Sequence, residues 1–188
     1  MATAGGCLRL PVSIHPLKLN AWLEADARWS ARLNLAERPG PLRRAAGILA
    51  HSGDSWFWGL GLLLVWLLGG PFWKSWAVLL VAAIGLTAGL VMLIKLLVRR
   101  RRPEGEWGAI YRRTDPHSFP SGHAARAALL AALVAGWGPG WLAPVMILWA
   151  PLVILARVAM GLHYLSDVVA GAALGLLVGL GMLLALAQ

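Results

Sequence analysis

Long apolar runs, broken at short polar intervals, set the architecture of this chain. Four of them, "SWFWGLGLLLVWLLGGPFW", "WAVLLVAAIGLTAGLVMLI", "PGWLAPVMILWAPLVILA" and "VVAGAALGLLVGLGMLLALA", are nearly free of charge. A helix needs roughly 20 apolar residues to cross the hydrocarbon core, and each run is about that long. With the Ala- and Leu-rich stretch that starts at Gly122, the pattern predicts spanning helices over about 54–70, 72–98, 122–138, 141–160 and 164–187. The expected fold class is all-α: a polytopic membrane helix bundle of five spanning helices, multi-pass in the cell membrane. The last helix carries Gly171, Gly175 and Gly179 at four-residue spacing, a row of small residues that permits close packing in lipid.

The N-terminal region reads differently. Pro11 and Pro16 make residues 1–16 irregular. From Leu17 to Glu37, Leu19, Trp22, Leu23, Trp29 and Leu33 recur at helical spacing, while Glu24, Arg28 and Arg32 interrupt any continuous span. This predicts an amphipathic helix in the membrane interface, with tryptophan at headgroup depth. A helix packed on the body of the protein is the alternative, and insertion would make it a sixth span. "RPGP" at 38–41 forms a hinge, followed by a short helix to about His51. The chain thus divides into an interfacial segment, residues 1–52, and a transmembrane unit, residues 53–188.

Counting spans places the N-terminus, the polar 99–121 loop and the 161–164 turn on one side of the membrane. Lys74, the 138–140 turn and the C-terminus fall on the other. The unusual polar residues therefore share one face of the bilayer.

Composition supports a membrane protein: 59% of residues are hydrophobic and only 13% charged. The formal net charge of +9 comes from arginines clustered at 28–44 and 99–113, beside predicted membrane segments. Anionic headgroups or phosphate explain that placement; no nucleic-acid motif is present, so nucleic acid is excluded as a partner. Cys7 is the sole cysteine, which rules out an internal disulfide and a cysteine metal site. "AGGC" at 4–7 lacks the preceding apolar stretch of a lipoprotein cleavage box.

Three polar patches lie on the common face. In "KLLVRRRRP", seven residues at about 100° each place Arg102 within roughly 20° of Lys95 on a helix, so two cations converge on one anion. Pro103 disfavours helix at Arg102, so the chain leaves the helix there; Arg99, Arg100 and Arg101 read as headgroup anchors. In "HSFPSGHAAR", Ser121 is a favoured N-cap for a helix starting at Gly122, whose free N–H groups and dipole make a phosphate site. Gly122 permits close backbone approach, and His123 in the first turn is placed to protonate a leaving oxygen. In "ARVAMGLHYLSD", His163 and Asp167 are four apart and share a helix face, so the carboxylate fixes one ring nitrogen and directs the other outward. Arg157 would point away from His163 on a continuous helix, and Gly161 offers a break that turns it back. Taken together, these are the parts for phosphoryl transfer.

The three segments, K-x6-R-P, P-S-G-H and R-x5-H-x3-D in that order over residues 95–167, resemble the motifs of the type 2 phosphatidic acid phosphatase and vanadium haloperoxidase superfamily, in its membrane branch. The resemblance implies that Lys95, Arg102 and Arg157 bind phosphate oxygens with Ser121 and the Gly122 backbone. It implies that His163 attacks phosphorus to give a phosphohistidine, that Asp167 orients it, and that His123 protonates the leaving group. It implies no metal and no cofactor, and the sequence offers no acidic cluster suited to Mg²⁺. The third motif of that family usually begins Ser-Arg, whereas this chain has Ala156-Arg157.

The expectation is a lipid phosphatase acting on phosphatidic acid, phosphatidylglycerophosphate or a polyprenyl diphosphate. A phosphotransferase using the same site and a lipid-phosphate carrier are the alternatives; a halide oxidant gains nothing from a membrane-embedded body. The charge bias places the site face in the cytoplasm, whereas the resemblance implies an outward-facing site. Oligomeric state is not read from the sequence. Asp115 and His117 read as loop polarity rather than metal ligands, and His51 and Asp54 as capping or hydrogen-bonding groups at the first span. Tyr111, Arg112 and Arg113 read either as a solvated basic loop or as readers of a headgroup. Arg126 either faces the site or snorkels to the interface.

Overall fold

The computed structural model describes residues 16–105, 107 and 109–188. Residues 1–15, with Cys7 and Pro11, and the Arg112 side chain lie outside the described part. Among the described residues the chain forms helices α1 (Pro16–Arg32), α2 (Pro41–Ser52), α3 (Ser55–Leu68), α4 (Pro71–Val98), α5 (Ala109–Thr114), α6 (Gly122–Trp137), α7 (Ala143–Ala159) and α8 (Leu165–Leu186).

The five expected spans correspond to α3, α4, α6, α7 and α8, but they differ in length. α4, with 28 residues, and α8, with 22, are long and apolar enough to cross a membrane. α3, α6 and α7 have 14, 16 and 17 residues, which at 1.5 Å per residue rise only about 21–26 Å. Gly-Pro breakers account for this: Gly70-Pro71 separates α3 from α4, and Gly138-Pro139 follows α6.

α6 is the axis of the bundle. Its residues Ala124 to Leu130 are all buried, as expected for a helix that is apolar all round. The glycine row of α8 lies against it. A Cβ on Gly175 would stand 2.0 Å from the Ala125 carbonyl oxygen, and one on Gly171 2.3 Å from that of Ser121. Any side chain at either position would push the two backbones apart. The contact carries α8 up to the start of α6, where the Ser121 N–H donates to the Asp167 carbonyl at 2.9 Å. Leu80, Ala83, Leu129, Leu130 and Leu133 form the core between α4 and α6. Leu63, Leu67, Leu93, Leu97, Leu148, Leu155, Leu177 and Leu184 face outward. An apolar exterior around a packed core is what lipid selects and water does not.

The N-terminal helix is amphipathic in an unexpected sense. α1 ends at Arg32, short of Glu37. Trp22 and Trp29 are exposed, while Ser30 is buried and bonded to the body, its hydroxyl accepting from Leu165 N–H at 2.9 Å. The polar side of α1 thus faces the protein. α2 packs on α7 through Ala46, Ala50, Ala156 and Met160.

Candidate active site

The C-terminus of α4 brings the first cation. Lys95 is buried in its last turn, and the helix closes at Val98, with Arg99 in the left-handed region at φ 51°. The helix ends where expected, but the expectation that helical spacing brings Arg102 beside Lys95 is corrected: Arg102 lies beyond the helix and shares no helix face with Lys95. The loop brings it back instead. An isolated antiparallel bridge pairs Arg101 with His117, and the Ser118 N–H donates to the Arg100 carbonyl at 2.8 Å. This pairing sets Asp115 beside both cations. Its Oδ2 accepts from Lys95 Nζ and, at 2.8 Å, from Arg102 Nη2, while its carbonyl accepts from Arg102 Nε at 2.7 Å. A carboxylate oxygen thus occupies the point on which Lys95 and Arg102 converge.

His163 stands in the turn between α7 and α8, not on a helix face shared with Asp167. Gly161, at φ 64°, makes that turn, which follows Arg157 on the last turn of α7 and leads to His163. Arg102 Nη1 lies 3.0 Å from His163 Nε2. A guanidinium only donates, so Nε2 is the acceptor and the ring proton sits on Nδ1. That Nδ1 points to Asp167 Oδ2 at 3.5 Å, too long for a hydrogen bond, and has no other partner. Burial, followed by the positive charges of Arg102, Arg157 and Lys95, holds the His163 imidazolium pKa well below its usual 6.5. The ring is neutral with a free electron pair on Nε2, the state a nucleophile requires.

Asp167 is fixed from three directions. Its Oδ2 accepts from the Tyr164 N–H at 2.9 Å, its Oδ1 accepts from Arg100 Nη1 at 2.9 Å, and its backbone carbonyl accepts from Ser121. Arg100 is consequently no headgroup anchor. It spans from Asp167 to Asp26 Oδ2 at 2.7 Å and stacks over the Tyr164 ring at 4.0 Å. Burial would raise the Asp26 carboxyl, but hydrogen bonds from Ser166 and Arg100 hold it below its usual range.

Arg157 is fully buried, donating from Nη1 to the Ala50 carbonyl at 3.2 Å and lying 4.9 Å from the Tyr111 ring centroid. Its Nε and Nη2 have no hydrogen-bond partner, an expensive arrangement unless a ligand supplies one. Ser121 is the N-cap of α6, its hydroxyl accepting from the Ala124 N–H at 3.4 Å. A Cβ on Gly122 would meet only Val91, at 3.6 Å, so the protein interior itself does not demand glycine there.

His123 lines the same cavity, with Nε2 2.6 Å from Asp54 Oδ1. Asp54 makes no side-chain cap on α3; it bonds His123 and, at 3.2 Å, His51 Nδ1. Burial acts to raise the Asp54 carboxyl, yet the two histidines more than offset it and hold the group below its usual range. Lys95, Arg102, Gly122, His123 and His163 all line one cavity of about 380 Å³. Among the described residues no three His, Cys, Asp or Glu side chains cluster as metal ligands would.

Sequence reasoning missed the placing of Asp115, Asp54, Arg100 and Asp26. No spacing rule marks them, since Arg100 is one of four consecutive arginines and Asp54 and Asp26 lie outside the three motifs.

The chain is similar over 152 residues, at 39% identity, to the decaprenylphosphoryl-5-phosphoribose phosphatase of Mycobacterium tuberculosis, covering 77% of this chain and 80% of that one. In fold it is similar to a transmembrane PAP2-type phosphatidylglycerolphosphate phosphatase from Bacillus subtilis, with a TM-score of 0.72, 24% identity and coverage of 89% and 87%. It is also similar to LpxE of Aquifex aeolicus, with a TM-score of 0.65, 24% identity and coverage of 85% and 94%. The family model described as the PAP2 superfamily matches residues 76–188, the part that carries every cation and both histidines of the cavity, and the chain belongs to that superfamily.

Proposed function

We propose that this protein is a metal-independent lipid phosphatase that hydrolyses a phosphate monoester or diphosphate through a phosphohistidine intermediate. The observation that carries the reading is the meeting of Lys95 and Arg102 at one carboxylate oxygen of Asp115, with the neutral His163 Nε2 bonded to the other terminal nitrogen of Arg102. A phosphate oxygen is likewise an anionic acceptor for these donors, and Arg157 adds two unpartnered donor atoms.

In the proposed reaction the phosphate displaces Asp115, and Arg102 turns from Nε2 to the phosphate oxygens. His163 Nε2 forms a bond to phosphorus as the bond to the leaving oxygen breaks. Lys95, Arg102, Arg157, Ser121 and the Gly122 backbone hold the equatorial oxygens, where transition-state charge collects. Asp167 stabilises the proton on His163 Nδ1, the 3.5 Å separation shortening as the ring becomes cationic. His123 gives a proton to the leaving oxygen and then takes one from the water that cleaves the phosphohistidine.

The same reading makes α3, α4, α6, α7 and α8 membrane spans, with a thinned or tilted bilayer around the shorter ones. It makes residues 1–52 an interfacial appendage on the 53–188 unit. The substrate class extends to polyprenyl phosphates because the similar Mycobacterium tuberculosis protein is named for one. Purified protein in chelator is expected to release phosphate from phosphatidic acid, phosphatidylglycerophosphate or polyprenyl diphosphate, and His163→Ala to abolish release. Full activity in that variant removes the mechanism.

A further inference from the structure

Beyond the phosphate cradle the same cavity continues along α4 and α6 past a second cation. Arg126 stands one turn below the start of α6, about 6 Å deeper than Gly122 along the helix axis. It is 8% exposed, lines the cavity, and neither snorkels nor pairs with an acid by hydrogen bond. Its Nη1 donates to the Gly53 carbonyl, and its Nε is buried without a partner. Thr87, at 2% exposure on the facing α4, also lines the cavity with its hydroxyl unpartnered. Around them the lining is apolar: Ile84, Ala88, Val91 and Met92. Two unsatisfied polar groups in an otherwise apolar, lipid-depth channel are costly unless a ligand meets them.

The order of residues along the cavity gives the ligand its chemistry. His123, the proposed donor to the leaving group, lies between the cradle and Arg126, so Arg126 faces the leaving-group side of the scissile bond. Apart from Thr87, the α4 residues that line this part of the wall, Ile84, Ala88, Val91 and Met92, are apolar. A matching lipid bears a reacting phosphate, then a second anionic group a short spacer away, then a hydrocarbon chain.

We propose that Arg126, with Thr87, forms a subsite for a second phosphate of the lipid substrate, and selects lipids with two phosphates over those with one. A prenyl diphosphate and a prenyl phosphoryl-sugar phosphate have this form; phosphatidic acid lacks it. The proposal rests on the hydrolytic reading above and adds a specificity to it.

The test compares purified wild type and Arg126→Gln, in neutral detergent so that no anionic headgroup competes. The substrates are a prenyl monophosphate, a prenyl diphosphate and a prenyl phosphoryl-ribose 5-phosphate of equal chain length. Variant-to-wild-type ratios cancel the intrinsic reactivity of each leaving group. Losing a charge-assisted contact should lower kcat/KM on the two-phosphate lipids about 10- to 100-fold, mainly through KM. The loss on the monophosphate should be at least several-fold smaller. Equal losses on all three, or none, overturn the proposal. Arg126→Lys keeps the cation and should lose about 3- to 10-fold on the two-phosphate lipids alone. If neither variant folds, Arg126 is a structural tie to Gly53 and the subsite is rejected.

Binding separates this proposal from the hydrolytic reading. Wild type should bind a prenyl methylene-bisphosphonate more tightly than the prenyl monophosphonate, and Arg126→Gln should lose that preference. Absence of phosphate release from every lipid sinks the hydrolytic reading, while an unchanged binding preference in Arg126→Gln sinks the subsite.

Discussion

The two histidines of the cavity each have a carboxylate beside them, but at different distances and with different groups on the remaining ring nitrogen. His163 has Asp167 at 3.5 Å and Arg102 at 3.0 Å on its far nitrogen, with Lys95 and Arg157 nearby. Cations outnumber the one distant carboxylate, so this ring sheds its proton and keeps an electron pair. His123 has Asp54 at 2.6 Å, and that carboxylate stays ionised because His51 also bonds it. A close, ionised acceptor fixes which ring nitrogen of His123 carries the proton. In the proposed reaction His163 is the nucleophile and His123 the proton donor, and the two rings differ in carboxylate distance and neighbouring charge rather than in residue type.

Removing either carboxylate should therefore produce different failures. Asp54→Asn is expected to lower kcat about 100-fold on lipid substrates, whose alkoxide leaving groups need a proton, since general acid catalysis contributes about 10²–10⁴-fold. On p-nitrophenyl phosphate, whose leaving group departs unprotonated, the loss should be below about 10-fold. Asp167→Asn should cost a similar factor on both substrates, because it acts on the nucleophile. Equal behaviour of the two variants would erase the assigned division of labour. One step further out, Arg100→Gln frees Asp167 Oδ1 and cuts the tie to Asp26. A loss of about 10-fold in kcat with KM nearly unchanged is expected, read by steady-state kinetics on the lipid substrate.

Titration sharpens the same contrast. His163 is depressed from 6.5 by burial and by three cations, so protonation stops its attack only at pH well below 6.5. As pH falls, kcat/KM should hold through the range where an ordinary histidine protonates and then drop. The pH profile must first be corrected for the second ionisation of the substrate phosphate, near pH 6. An acid limb at 6.5 or above after that correction contradicts the neutral resting state of the ring.

Much of this was legible in the sequence where a physical rule acts locally. Apolar runs predict the helices; the Gly171–Gly175–Gly179 row predicts a close helix contact, which the structure makes with α6, and Ser121 predicts the cap. Of the residues the three motifs named, Lys95, Arg102, Gly122, His123 and His163 line one cavity. What local rules missed depends on folding at a distance. Arg102 meets Lys95 through a loop pairing at Arg101 and His117, not through helical periodicity. Arg100 looks like its neighbours in "RRRR", and only the return of α1 singles it out. Asp54 reads as a hydrogen-bonding group beside His51, and its second partner, His123, shows only when α6 is in place.

The smallest expected effect concerns Asp115, which reads from sequence as loop polarity and in the structure bonds both Lys95 and Arg102. Its carboxylate competes with phosphate for the same donors while also keeping two buried cations paired before substrate arrives. Asp115→Asn removes the charge but leaves an amide oxygen able to accept from Arg102. Competition then weakens, and vanadate, which mimics pentacoordinate phosphorus, should inhibit the variant about 3- to 10-fold more tightly, in keeping with the modest net value of a partly exposed pair. Product phosphate should bind more tightly by a similar factor and slow turnover at high phosphate. Weaker inhibition in the variant would mean that Asp115 chiefly orients the two cations, so that the cradle depends on this acid rather than competing with it.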